Sequence, residues 1–120
     1  MAVSSNYLDF VLEQLSCVGA VTPKRMFGGV GIYLDGLFFA LVDDDMLYFK
    51  VDEYNRADYE ATGMKPFKPF GEESYSMGYF EVPIDVLEDR DQLRQWANKS
   101  LDVARSKRPV RKSKKKKTRR

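Results

Sequence analysis

Histidine is absent from the 120 residues and cysteine occurs once, as Cys17. The chain therefore forms no intramolecular disulfide, no zinc site of cysteine and histidine ligands, and no histidine-based catalytic triad. The longest apolar run, Leu37 to Val42, is too short to span a bilayer, and Asp9 and Glu13 lie where a secretory signal needs apolar residues. We expect a cytoplasmic protein that is not an enzyme, does not enter a membrane and needs no metal or cofactor.

The composition is sufficient for one folded domain, with 43% hydrophobic and 13% aromatic residues. Charge, however, is distributed very unevenly. Residues 1–104 contain nine Lys and Arg against eighteen Asp and Glu, a net charge of −9, whereas residues 105–120 carry +11. Such a split is typical of an interaction tail attached to a folded body. We predict a domain of residues 1–104 and a disordered basic tail of residues 105–120.

The first half of the chain predicts a helix followed by a three-stranded antiparallel meander. Apolar residues at helical spacing follow a capping serine, Ser4 or Ser5. Lys24 to Leu34 is predicted to be one strand, whose glycines indicate a bulge or a close backbone approach. Asp35-Gly36 is typical of a two-residue hairpin turn, and residues 37–42 and 46–51 are the next two strands.

The second half predicts a helix capped by Asp52 that ends near Thr62, and then an extended Lys65 to Phe70 segment. Residues 74–82 are predicted to form the last strand. A short helical turn and a final helix capped by Asp91 complete the chain. The predicted fold class is α+β in two layers, an antiparallel sheet with helices on one face and the order α-β-β-β-α-β-β-α.

Two motifs resemble ligand sites but have simpler interpretations. Residues 26–36 are rich in glycine, yet they match neither the dinucleotide-binding nor the phosphate-loop pattern, which favours a bent strand. The triplet Asp43 to Asp45 lacks the ligand spacing of a calcium loop and is predicted to be a solvated turn. Cys17, expected in the last turn of the first helix, is interpreted as core packing, and a redox role is left open.

Cations and aromatics alternate in Lys65 to Phe70, and Tyr75, Tyr79 and Phe80 follow. This pattern is typical of platforms on which single-stranded nucleic acid stacks. The alternative is a proline-stiffened connection whose aromatics cover the sheet. We favour the second interpretation because the net negative body repels phosphates.

The tail is the segment whose chemistry indicates a class of partner. Its apolar content is too low to offset the entropy of ordering, so it is expected to bind polyanions by counterion release and without sequence specificity. The alternative is a solubilising tail in transient contact with its own acidic body. The predicted nucleic-acid-binding residues are Arg108, Arg111, Lys112, Lys114, Lys115, Lys116, Lys117, Arg119 and Arg120.

Two blocks of sequence carry a family resemblance: RMFGGVGIYLDGLFFALVDDDMLYFKVD, residues 25–52, and GYFEVPIDVLEDRDQLRQWANKSL, residues 78–101. Together they resemble the N-terminal domain of the TfoX/Sxy family of competence regulators, over roughly residues 5–104. The resemblance implies a two-layer fold related to secretion chaperones and no catalytic residues. The residues that match the family's opening motif are Arg25, Met26, Phe27, Gly28 and Gly29, which are candidates for structural positions or for a partner surface.

The family members act as positive regulators of natural competence together with the cyclic-AMP receptor protein, and the full-length regulators have a second, helical domain. This chain has the basic tail in its place. The resemblance therefore implies an accessory or regulatory protein, with a protein partner in the transcription machinery and weak nucleic-acid contact through the tail. The alternative hypothesis is a homodimeric interaction or chaperone-like module, assembled through its sheet or first helix, with a solubilising tail.

Overall fold

The computed structural model describes residues 3–26, 29–67 and 78–106. Helices and strands in this part of the chain follow one another as α1 (Ser5–Leu15), β1 (Thr22–Met26), β2 (Gly29–Leu34), β3 (Leu37–Asp43), β4 (Met46–Lys50), α2 (Arg56–Ala61), β5 (Tyr79–Glu81), α3 (Ile84–Leu87) and α4 (Arg90–Ser106). The α+β class predicted from the sequence is confirmed.

The five strands form one antiparallel sheet in the order β1-β2-β3-β4-β5. Side chains alternate between the two faces of a strand, and the register fixes which residues share a face. The inner face carries Val30, Ile32, Ala40, Val42, Leu47 and Phe49, all of them buried. These residues join apolar side chains from all four helices in one core, in which Val11, Tyr59, Val86 and Leu93 represent α1 to α4 in order. The helices therefore cover the inner face, as predicted.

In the first half of the chain, the predicted helix cap and hairpin turn are both present in the structure. The Ser4 hydroxyl accepts a hydrogen bond from the Tyr7 amide and caps α1. Asp35 and Gly36 adopt φ angles of 52° and 80°, as the predicted hairpin turn requires. One prediction is wrong: Lys24 to Leu34 is not one strand but the antiparallel pair β1 and β2, in which Met26 lies opposite Gly29. β1 and β2 run in opposite directions instead of forming one bent strand, so four described strands precede α2.

The glycines of this segment predicted either a bulge or a close backbone approach, and the two alternatives have different outcomes. A register shift separates the pairs Ile32 with Ala40 and Tyr33 with Phe38, so the extra residue lies in β3 rather than in the glycine strand. The close backbone approach is confirmed at Gly29, where a Cβ atom would lie 2.5 Å from the Val42 carbonyl oxygen.

Two predicted helix starts are displaced. Helix α2 begins at Arg56, not after Asp52, because the Asp52 carboxylate accepts a hydrogen bond from the Tyr54 amide and holds a turn there. Helix α4 is capped by Asp89 rather than Asp91, since the Asp89 Oδ1 atom accepts hydrogen bonds from the amides of Asp91 and Gln92, the second and third residues of the helix.

The last strand is short. Within the predicted range of residues 74–82, β5 covers only Tyr79–Glu81, and residues 74–77 lie outside the described part. The segment before it is extended up to Phe67: Pro66 bridges to Phe80, and the Phe67 amide donates to the Tyr79 carbonyl at 2.7 Å. Described residues 65–67 therefore run along the outer edge of β5.

Candidate interaction surfaces

The five family-motif residues divide into different environments. Arg25 is exposed on β1, which pairs only with β2 and forms an edge of the sheet, and Met26 ends that strand. Gly29 is buried at the start of β2 against the backbone of Val42. Phe27 and Gly28 lie outside the described residues. Gly29 is thus a packing position, while Arg25 is available to a partner.

The predicted nucleic-acid residues, Arg108 to Arg120, also lie outside the described part. The structure therefore shows only the end of the helix that precedes them. Helix α4 runs to Ser106, and the Arg105 guanidinium lies 2.9 Å from the Asp102 carboxylate of the same helix. An open depression of about 430 Å³, lined by Asp52, Tyr54, Asp102, Val103 and Ser106, adjoins this helix end.

The outer face of the sheet, opposite the helices, carries a group of aromatic rings in contact with one another. Tyr33 stacks on Phe38 with ring centroids 5.1 Å apart, and Phe38 lies 5.5 Å from Tyr79. Phe67 lies 4.8 Å from Tyr48. Of the aromatics that suggested a stacking platform, Phe67 and Tyr79 therefore belong to this face. Phe80 belongs to the inner face, where its ring is 5.8 Å from that of Tyr59.

Charges on the outer face are of both signs. The Lys50 ammonium lies 4.9 Å from the centroid of the Tyr79 ring and donates to the Tyr79 hydroxyl at 3.4 Å. Burial raises the pKa of Tyr48, and the nearby carboxylates of Glu81 and Asp43 raise it further. A face with carboxylates beside its rings is a poor surface for phosphates, which agrees with our preference for aromatics that cover the sheet.

A buried polar cluster joins β4 to the helices, and the sequence did not predict it. The carbonyl oxygen of Lys50 accepts hydrogen bonds from Ser100 Oγ at 2.8 Å and from Asn55 Nδ2 at 3.1 Å. Both side chains are almost fully buried. Because each satisfies a backbone group at the end of β4, the cluster serves folding rather than chemistry.

Among the residues that the structure describes, no three His, Cys, Asp or Glu side chains are grouped to hold a metal ion. The carboxylate of Asp45 accepts a hydrogen bond from the Ser4 amide at 2.8 Å, consistent with a structural turn.

Cys17 lies beyond the end of α1, not in its last turn. Its side chain is half-buried, and its sulfur is 3.7 Å from the Arg90 carbonyl oxygen. None of the described helices has the length and apolar character needed to cross a bilayer.

Comparison with known proteins gives one family. The model of the TfoX N-terminal domain matches residues 13–104, well over half of the chain. The matched range runs from the last turn of α1 almost to the end of α4 and includes the five described strands. No curated protein matches the sequence.

Proposed function

Because this chain belongs to the family defined by the TfoX N-terminal domain, we propose that it is a non-enzymatic accessory protein in the regulation of transcription or competence. Its folded body binds a protein partner, and its basic tail holds nearby nucleic acid without sequence specificity. The observation that carries the proposal is the charge split between the body, at −9, and the last sixteen residues, at +11.

The arrangement of charges within the body supports this division of roles. Three of its cationic side chains are engaged with carboxylates: Arg90 with Glu13 at 3.8 Å, Arg94 with Asp91 at 3.6 Å and Lys99 with Asp58 at 2.8 Å. Arg105, the first residue after the body, is likewise paired with Asp102 at 2.9 Å. In each pair the carboxylate offsets the positive charge, so little positive potential is left to attract a phosphate. Nucleic-acid contact is therefore expected from the ten Lys and Arg residues that follow Ser106.

Salt dependence provides the test. Each phosphate neutralised on duplex DNA contributes a slope of about 0.9 to the fall of log K with log salt concentration. We expect full-length protein to bind duplex DNA with a slope of several units. A variant with the nine predicted tail residues replaced by Gln should lose binding, while a Lys24→Gln and Arg25→Gln control in β1 should retain it. Fluorescence anisotropy on duplex and single-stranded oligonucleotides measures all three proteins. Equal binding by the tail variant would contradict the proposal.

A second candidate is a homodimeric interaction module, and one feature of the outer face favours it. The register places Lys24, Gly31, Leu41, Tyr48 and Glu81 in one row across the five strands. A two-fold axis at Leu41, the middle of the row, pairs the Lys24 end of one copy with the Glu81 end of the other. It also places Tyr48 against Gly31.

Light scattering distinguishes the two candidates. If the outer face forms a dimer, Glu81→Lys should dissociate it, and Lys24→Glu combined with Glu81→Lys should restore it. A monomer at all concentrations would exclude the dimeric module and leave the accessory protein with a tail.

A further inference from the structure

Large apolar side chains are exposed at few places in the described chain, and one of them lies on α1 and another on α3. Phe10 of α1 is 38% exposed and Ile84 of α3 is 60% exposed. An exposed Ile in the first turn of a four-residue helix adds nothing to the core, whose contributions from α3 are Val86 and Leu87. Such side chains are typical of a binding surface when they lie together.

Contacts at both ends of α1 show that it runs beside residues 82–90. At its start, the Ser4 amide donates to the Asp45 carboxylate at 2.8 Å, and the nearby Leu47 carbonyl oxygen accepts a hydrogen bond from the Val82 amide at 2.9 Å. At its end, Gln14 Nε2 donates to the Leu87 carbonyl oxygen at 2.9 Å, and Gln14 Oε1 accepts from Arg90 at 3.2 Å.

Phe10 lies between Tyr7 and Gln14 on one side of α1, because residues three and four apart share a helix face. Ile84 lies between Val82 and Leu87 in the neighbouring segment. The two exposed side chains are therefore on the same side of the molecule. The ring of Tyr7 is 6.5 Å from that of Phe10 and continues the apolar area. We name Tyr7, Phe10 and Ile84 the α1–α3 patch.

Charge around the α1–α3 patch is mostly negative. Residues 5–15 and 82–89 contain five carboxylates and no Lys or Arg: Asp9, Glu13, Asp85, Glu88 and Asp89. The cation that follows directly, Arg90, lies 3.8 Å from Glu13 and is hydrogen-bonded to Gln14. Asp9 and Asp85 are the chain neighbours of Phe10 and Ile84, and both are exposed. The apolar area is thus bordered by exposed negative charge, which repels nucleic acids and anionic lipids and attracts a basic surface.

We propose that the α1–α3 patch binds a cationic amphipathic helix of a protein partner, with apolar side chains on Phe10 and Ile84 and Lys or Arg beside Asp9 and Asp85. This inference rests on the proposed function, which assigns a protein partner to the folded body. The chain's own tail is a poor occupant, because residues 107–120 include one apolar side chain, Val110, and provide no apolar face.

A model ligand tests the surface without knowledge of the natural partner. The probe is a fluorescein-labelled amphipathic helix of Leu and Lys, about 14 residues long, added to full-length protein. A scrambled peptide of the same composition has the charge without the apolar face. We expect the amphipathic peptide to bind more tightly than the scrambled one, and Ile84→Ser to weaken it about tenfold, as loss of a buried aliphatic contact predicts.

The matched control is Tyr54→Ser, since Tyr54 is 61% exposed and lies beside Asp102 and Ser106, near the opposite end of α4 from the patch. That helix is 17 residues, or about 25 Å, long. A second pair compares Asp85→Lys, which should weaken binding, with Glu60→Lys on α2, which should not. Circular dichroism establishes that each variant remains folded.

The proposal is overturned if the two peptides bind alike, or if Ile84→Ser and Tyr54→Ser have the same effect. It is also overturned if Ile84→Ser converts a dimer of the full chain to a monomer, because a second copy then occupies the patch. Neither result affects DNA binding by the tail, so failure of this inference and failure of the proposed nucleic-acid role are distinguishable.

Discussion

Replacement of Gly29 by Ala tests whether the family motif has a structural role. The added Cβ atom would lie 2.5 Å from the Val42 carbonyl oxygen and 3.6 Å from Asp43 Cβ. The first contact is with backbone, so β2 and β3 must separate where Val30 and Val42 pair in the core. Overpacking of this kind costs about 1–3 kcal/mol. A loss of about 2 kcal/mol corresponds to a fall in Tm of roughly 8–16 °C for a domain of this size.

Urea unfolding followed by Trp96 fluorescence measures the loss, because Trp96 packs against the core and its ring is 4.6 Å from Tyr59. Gly36→Ala is the control. Gly36 has a φ of 80° and nothing within 4 Å of its added Cβ, so only backbone strain of about 1 kcal/mol is expected. If Gly29→Ala lies within about 0.5 kcal/mol of the unmodified protein, the close packing inferred here is incorrect.

Two further predictions concern the buried polar groups. Ser100→Ala removes one of the two side-chain donors to the Lys50 carbonyl oxygen and should lower the free energy of unfolding by about 1 kcal/mol in the same assay; no change would exclude a role in stability. Burial raises the pKa of Tyr59 and Tyr79, so their stabilising effect is complete below the unfolded value of about 10 and is lost as pH rises towards the higher folded values. Unfolding in urea should therefore require less denaturant above pH 10, and a constant midpoint would contradict this.

Several elements could be predicted because their signals are local. The alternation of Leu47 and Phe49 with the mixed residues Met46, Tyr48 and Lys50 predicted β4, and the Asp35-Gly36 pair predicted the hairpin turn. Each signal depends on a few adjacent residues. The family resemblance, based on residues 25–52 and 78–101, is confirmed by the match over residues 13–104.

Other features depend on contacts distant in sequence. The glycines after Met26 are compatible with either a bent strand or a reversal, and the pairing of β1 with β2 decides between them. The α2 start depends on Asn55, whose side chain does not cap the helix. It accepts a hydrogen bond from the Asp52 amide and donates one to the Lys50 carbonyl oxygen. An asparagine in the sequence does not by itself reveal these partners.

Prediction of the candidate surfaces from sequence is limited in the same way by contacts between distant residues. The basic tail is evident from charge alone, whereas the α1–α3 patch requires knowledge that residues 87–90 pack beside α1. Ile84 lies in an apolar run with Val86 and Leu87 and would be assigned to the core with them. Its 60% exposure follows from the direction of a single helical turn.

The division of roles between body and tail is tested most directly by NMR titration of the full-length, isotopically labelled protein with a short DNA duplex. The account predicts that amide shifts change for residues after Ser106 and reverse when salt is raised, while the resonances of the sheet and of the α1–α3 patch do not change. Shifts centred on β1, with its Lys24 and Arg25, or on the aromatic outer face would contradict the account and place the nucleic-acid surface on the folded body.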